Sequence, residues 1–335
     1  MSEPRPVGFG VVGARSFVAN AAVLPAIDAA HNARLVATSA RGGPVPERWA
    51  ATSVESYDAV IAHPDVDAVY LPLPNGLHRF WAERAAAAGK HVLCEKPLAP
   101  DAATAAAMAD TCHTAGVVLA EAWMTPFGAR YRHAIDLARN GEIGRIEAID
   151  ATFTFTIGPD AADNYRWDAT QGGGALLDVG IYCLGPIVEL FPNPHSAQVV
   201  ASGSLAASGV DERVHAELRF ASGTVGRINC SFVDDECQRL TISGTTGRIV
   251  VATNAFTGGV DDTEIVIERS PATAVERVSA PSNDPYRAMI ESFADAVAGR
   301  AEWPRPIERS IDMAQLIERI RQRLAEGSDV EHHTP

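Results

Sequence analysis

A chain of 335 residues exceeds the length over which one hydrophobic core usually keeps growing, so two domains are expected. A formal net charge of −14 repels phosphate backbones and anionic lipid, which argues against nucleic acid and membrane surfaces as partners. The five cysteines (Cys94, Cys112, Cys183, Cys230 and Cys237) are odd in number and lack a CxxC pair, so neither a disulfide framework nor a metal site is expected. With no signal-like segment and no apolar run of membrane length, the expected location is the cytoplasm.

From Val7 to about Met124, short apolar runs at 7–12, 34–38, 68–73, 91–94 and 117–120 alternate with alanine-rich helical stretches. That alternation predicts βαβ units and a parallel sheet, and the nearly unbroken apolar character of the runs predicts helices on both faces. Residues 1–124 are therefore expected to form a doubly wound Rossmann domain.

The first strand runs into Gly10-Val-Val-Gly13-Ala-Arg15-Ser16-Phe17-Val18-Ala19, where a dinucleotide's pyrophosphate would meet helix N–H groups. Gly10, Gly13, Arg15, Ser16 and Phe17 are the candidate contacts. A strict GxGxxG from Gly13 needs glycine where this chain has Arg15 and Val18, and a tight strand-to-helix turn without a nucleotide needs glycine too. Arg15 either fills the space of the pyrophosphate or clamps it. The second strand ends Ala37-Thr38-Ser39-Ala40-Arg41 without the acidic residue that would bond the ribose of NAD. Ser39 and Arg41 suit a 2′-phosphate instead, which favours NADP with NAD possible; the competing reading of Arg41 is a solvated surface arginine.

Beyond Phe127 the pattern becomes a helix to about Asn140 and then alternating strands at 146–157, 198–205, 212–220, 224–232, 239–243, 248–251 and 264–268. Helices at 285–298 and 306–325 close the chain. Residues 125–335 are expected to form an α+β domain on an open, mostly antiparallel sheet.

Asp65-Val-Asp-Ala-Val-Tyr-Leu-Pro-Leu-Pro-Asn75-Gly-Leu-His78, leading into Ala88-Gly-Lys-His-Val-Leu-Cys-Glu95-Lys96-Pro97, resembles the Gfo/Idh/MocA oxidoreductases. Gly172-Gly-Gly-Ala-Leu-Leu-Asp178-Val-Gly-Ile-Tyr182 is similar to that family's second motif. Tyr182 stands where the family usually has histidine, as in its dihydrodiol dehydrogenase and glucose-fructose oxidoreductase branches. The resemblance implies Lys96 at the junction of nicotinamide and substrate. It places Leu73, Asn75, His78 and Glu95 near the cofactor, and Trp123, Arg166 and Trp167 near the substrate. Both tryptophans suit a core equally well, and Arg166 suits a plain ion pair. Asp178 and Tyr182, four apart, share one helix face.

The implied chemistry is hydride transfer between nicotinamide and a hydroxyl or carbonyl of a small sugar, polyol or cyclic diol. Tyr182 would exchange the proton, Lys96 would assist electrostatically, and Asp178 would orient the substrate or the lysine. A free phenol ionises near pH ~10, so a neighbouring cation is needed. The resemblance also implies a homodimer or homotetramer through the open sheet face. The alternatives are a non-catalytic dinucleotide or sugar sensor and an NAD-dependent glycoside hydrolase on the same fold.

Overall fold

The computed structural model describes residues 5–158, 161, 164–270 and 275–331, with side chains of the last helix to residue 326. The chain packs as two units, Met1–Met124 with Asp284–Ser310, and Thr125–Asn283 with Ile311–Pro335.

The first unit is built on a parallel sheet in the order β2-β1-β3-β4-β5. Its strands are β1 (Val7–Val12), β2 (Ala33–Ser39), β3 (Ala68–Leu71), β4 (His91–Glu95) and β5 (Leu119–Ala122). Every residue of β1 is buried, as a strand covered on both faces must be. Helices α1 (Leu24–Ala29), α2 (Tyr57–Ala62), α3 (His78–Ala87) and α4 (Ala102–Thr114) fill the crossovers. Ser56 and Asp101 cap α2 and α4 by accepting from the Ala59 and Thr104 amides, satisfying donors that helix starts leave open.

The second unit begins with α5 (Ala129–Arg139) and β6 (Ile146–Thr156). A π-helical turn, Leu176–Gly180, leads into α6 (Ile181–Leu190). The remaining strands are β7 (Gln198–Leu205), β8 (Asp211–Arg219), β9 (Val225–Ser231), β10 (Val233–Gly244), β11 (Gly247–Val251), β12 (Glu264–Arg269) and β13 (Val275–Ser279). They pair in the order β13-β12-β11-β10-β6-β9-β8-β7, antiparallel except for the parallel pair β6 and β9. Ile149, Ala151 and Phe153 of β6 are buried on the face that α6 covers, while Asp150 and Thr152 alternate onto the other.

Contrary to the reading of the sequence, one apolar segment, Ala169–Leu190, has the length and composition to cross a membrane; 89% of its 18-residue apolar window is buried within the protein, as in a core helix. The edge strand β13 is mostly exposed, so it carries no apolar alternation to betray it.

Two helices end the described chain. In α7 (Pro285–Val297) the residues Met289, Ile290, Phe293 and Ala294 form the buried stripe, and Phe293 meets Phe9 of β1 at 6.0 Å between ring centres. Asn32 fixes this helix to the first unit, donating to the Glu291 carbonyl and the Asp295 carboxylate at 2.8 Å each. The amphipathic pattern of α7 was legible; its place in the first unit, away from residues 125–283, was not. The other helix, α8 (Ile307–Glu331), buries Leu316, Ile317 and Ile320.

Candidate active site

In a parallel sheet every strand ends on the same edge, so Gly13, Arg41, Leu73 and Lys96 are brought to one rim of the first unit by topology alone. With the order β2-β1-β3, the strand order reverses beside β1, the place where open α/β sheets bind ligands. Gly13 has φ +112°, and a Cβ there would lie 2.9 Å from Leu73 Cδ2 and 3.1 Å from the Pro72 carbonyl. Only glycine lets the β1 loop cross the β3 loop so closely. The Gly13 and Ala14 amides donate to the Ser39 carbonyl at 3.0 and 2.9 Å, so buried Ser39 serves this turn through its backbone.

Arg15 is exposed and turned toward the loop after β2, where its guanidinium donates to the Gly42 carbonyl. Phe17 is 87% exposed at the start of the helix. Arg41 lies with its guanidinium 4.9 Å from the ring centre of Tyr57 and 5.5 Å from that of Trp81. A strand-to-helix turn with no Cβ at its tightest point, bordered by the Arg15 and Arg41 guanidinium groups, fits the phosphates of a dinucleotide.

The Lys96 loop is fixed from both sides by buried side chains. Upstream, Tyr70 donates to Glu95 Oε1 at 2.6 Å, and the Lys96 amide donates to Glu95 Oε2 at 3.1 Å. Burial pushes the Glu95 carboxyl up, against the Tyr70 hydrogen bond and the Lys96 charge, and pushes the Tyr70 phenol up strongly. Downstream, His78 is wholly buried, with Nδ1 3.1 and 3.2 Å from the Pro97 and Leu98 carbonyls and Nε2 2.8 Å from the Leu73 carbonyl. Burial lowers its pKa; the three carbonyls oppose this.

The Leu98 amide donates to Glu121 Oε1 at 2.8 Å, and Glu121 Oε2 accepts from Arg305 and Ser310, both at 2.7 Å. Glu121 and Arg305 are almost fully buried, and the Arg305 guanidinium lies 4.8 Å from the ring centre of Trp123. Trp123 is itself entirely buried, a core aromatic under an arginine. Glu121, Arg305 and Tyr70 were missed. The available signal was a carboxylate inside the otherwise apolar run that ends at Ala122, because a buried acid requires a partner.

In the second unit, Gly172 (φ +75°) and Gly174 (φ +117°) fold the chain back so that the Gly173 and Gly174 amides reach the Asp168 and Arg166 carbonyls at 2.9 Å each. Asp211 closes the turn by accepting from the Leu176 amide at 2.6 Å, with Arg321 3.6 Å away. The turn sets Arg166 against Asp178, Nε to Oδ2 at 2.5 Å and Nη2 to Oδ1 at 3.5 Å, with Asp178 buried. Arg166 also interacts electrostatically with Tyr182 and lies 4.9 Å from the Tyr165 ring. Although burial opposes its charge, Asp178 leads the partners that hold the guanidinium pKa above its ordinary value.

Tyr182 is buried between Phe153 and Phe256, at 5.1 and 6.2 Å between ring centres. Trp167 packs edge-on against Phe232 at 5.5 Å. Asp178, Tyr182 and Arg166 thus form one cluster, with Trp167 placed beside the same turn by the chain. Among the described residues no group of acids, histidines and cysteines is arranged to hold a metal.

A doubly wound sheet with a nucleotide turn at its switch point, followed by a large sheet whose glycine-led helix carries a carboxylate and a phenol, defines a nicotinamide-dependent oxidoreductase. The family model of oxidoreductases with an NAD-binding Rossmann fold matches residues 7–122, and the GFO/IDH/MocA C-terminal domain matches 131–250. The chain belongs to the Gfo/Idh/MocA family. It is 36% identical over 331 residues to D-xylose 1-dehydrogenase (NADP(+)) 2 of Haloferax volcanii, covering 96% of this chain and 99% of that one. It is 33% identical to dTDP-3,4-didehydro-2,6-dideoxy-alpha-D-glucose 3-reductase of Saccharopolyspora spinosa, covering 97% and 99%. Among solved structures, the 3-ketoreductase KijD10 of Actinomadura kijaniata, in complex with NADP and TDP-benzene, superposes with TM-score 0.87 at 30% identity, covering 96% and 98%.

Proposed function

We propose that this oxidoreductase catalyses NADP-linked hydride transfer at a hydroxyl or carbonyl of a small sugar, polyol or cyclic diol, with NAD the weaker cofactor. The observation that carries this reading is the cluster of Tyr182, Asp178 and Arg166 on a turn built to place them, with the phenol inside an arginine's field. NADP, when bound, supplies or accepts the hydride. In the reducing direction Tyr182 gives its hydroxyl proton to the oxygen of the substrate carbonyl, and in the oxidising direction its phenolate takes that proton back. Lys96 is assigned the electrostatic assistance to this transfer, and Asp178 fixes Arg166, whose charge acts on the phenol.

The dehydrogenase and the two ketosugar reductases among the relatives support this chemistry over a sensor or a glycoside hydrolase. Structures of the KijD10 reductase with one lysine or one tyrosine substituted point to the same pair of residue types. Gly10, Gly13, Arg15, Ser16, Phe17, Ser39, Arg41, Leu73 and Asn75 would shape the dinucleotide site, with His78 and Glu95 acting on it through the backbone. Trp167 would wall the substrate. The location is proposed as cytoplasmic. A second copy would pair through the open sheet face, where Val200, His215, Glu217, Arg227 and Asn229 line a shallow basin of about 380 Å³.

Steady-state turnover of Tyr182→Phe with NADPH tests the assignment. The expected loss is about 10²- to 10⁴-fold in kcat; wild-type turnover would move the proton transfer to Lys96. Aldoses, inositols and dihydrodiols assayed with both cofactors identify the substrate.

A further inference from the structure

Arg41 is exposed at the end of β2, yet it does not project freely into solvent. Its guanidinium lies against Tyr57 at 4.9 Å and Trp81 at 5.5 Å, and those two rings meet edge to face at 5.1 Å between centres. Both rings are nearly buried, so they are a fixed wall and not a mobile cover. Burial pushes the Tyr57 phenol up, and the nearby Arg41 charge and main chain oppose that rise. Phe80 packs on Trp81 at 5.1 Å and completes the aromatic surface behind the charge. Across the loop, Arg15 holds the Gly42 carbonyl, and Gly43, with φ +150°, leaves the room for that guanidinium which a Cβ would take.

We propose that Tyr57 and Trp81 are positioning residues for cofactor choice: they hold the Arg41 guanidinium in the orientation that meets a 2′-phosphate. This rests on the NADP reading above. An arginine loose in solvent loses side-chain entropy when it is captured by a phosphate; one already laid on two aromatic rings has lost much of it beforehand. A ring face also attracts the planar cation and leaves its edge, where the N–H donors are, open to an anion.

The test is calorimetric binding of 2′,5′-ADP and 5′-AMP to the full-length protein, which needs no substrate and no turnover. Wild type should bind 2′,5′-ADP more tightly. Tyr57→Leu and Trp81→Leu should each weaken 2′,5′-ADP by about 3- to 10-fold and leave 5′-AMP unchanged. Arg41→Ala should remove the preference, and Trp81→Leu added to it should change the ratio of the two affinities no further. An Arg41→Ala protein that kept its preference would overturn the NADP reading itself. If Arg41→Ala lost the preference while both ring variants kept it in full, the aromatic wall alone would be refuted. Trp81→Phe and Tyr57→Phe, which preserve packing, serve if a leucine variant does not fold. Trp81→Phe should show a smaller loss in the same direction, and equal weakening of both nucleotides by either substitution would refute the proposal.

Discussion

The loop that carries Lys96 and the turn that carries Tyr182 are held in place by opposite means. Around Lys96 the anchors are buried side chains that grip main-chain groups: Glu95 at the Lys96 amide, His78 at the Pro97 and Leu98 carbonyls, Glu121 at the Leu98 amide. Around Tyr182 the gripping runs the other way. Main-chain contacts of three glycines set the turn, and the candidate side chains engage one another directly through Arg166 and Asp178. The ammonium is therefore aimed by its backbone and the phenol by its side-chain neighbours. Substitutions behind Lys96 should cost stability first, while those around Tyr182 should cost chemistry first.

The largest effect that would sharpen this contrast lies at the tip of the first loop. Lys96→Met keeps the main-chain hydrogen bonds of all three anchors and removes a charge that also acts on Glu95, so kcat should fall by about 10²-fold or more. Stability to urea should fall by no more than about 1 kcal/mol. A protein that lost its fold with its activity would place the lysine among the scaffold.

Next comes the scaffold itself. Glu121→Gln leaves Arg305 buried beneath a neutral partner, and uncompensated buried charges of this kind destabilise by about 3–5 kcal/mol. Urea denaturation measures it directly. A loss under roughly 1 kcal/mol would mean that the pair does not hold the loop.

The same contrast explains what could be read from the chain. Strand and helix periodicity is local, so β1 and most later strands were legible, and so were motif residues such as Lys96 and Tyr182. Partnerships are not local. Glu121 and Arg305 stand 184 residues apart and Asn32 and Asp295 stand 263 apart, distances over which no spacing rule operates. For the same reason the amphipathic stripe of α7 announced a helix without saying which core it joins, and no strand pattern announces that β6 and β9 run parallel. β10 begins at Val233, six residues before the predicted start, because Asp234 to Gln238 is polar and the pairing with β6 shifts register between Val233 and Cys237. His78 was legible as a motif histidine and Trp123 as a candidate wall, but only burial shows that the one acts through carbonyls and the other lies in the core.

His78 offers the smallest effect, and its sign is fixed in advance. Burial holds the ring's pKa below its ordinary value near 6.5, so on acidification the unfolded chain takes up the proton before the folded one does. The ring's contribution to stability is therefore complete above about pH 6.5 and is lost as pH falls from there toward the folded-state pKa. His91 is shifted in the same direction by its own burial, and Glu95, raised by burial, contributes with the opposite sign. Both remain in His78→Gln, so the difference between wild type and variant isolates the one ring. At pH 8 the variant should be less stable by about 1–3 kcal/mol, having lost carbonyl partners in a buried site. Between pH 7 and 5.5 that gap should close by at most about 1.4 kcal/mol per pH unit. A gap that widened on acidification would mean a ring protonated in the native state, held by the carbonyls on both of its nitrogens, and the Lys96 loop would then be anchored by a buried cation.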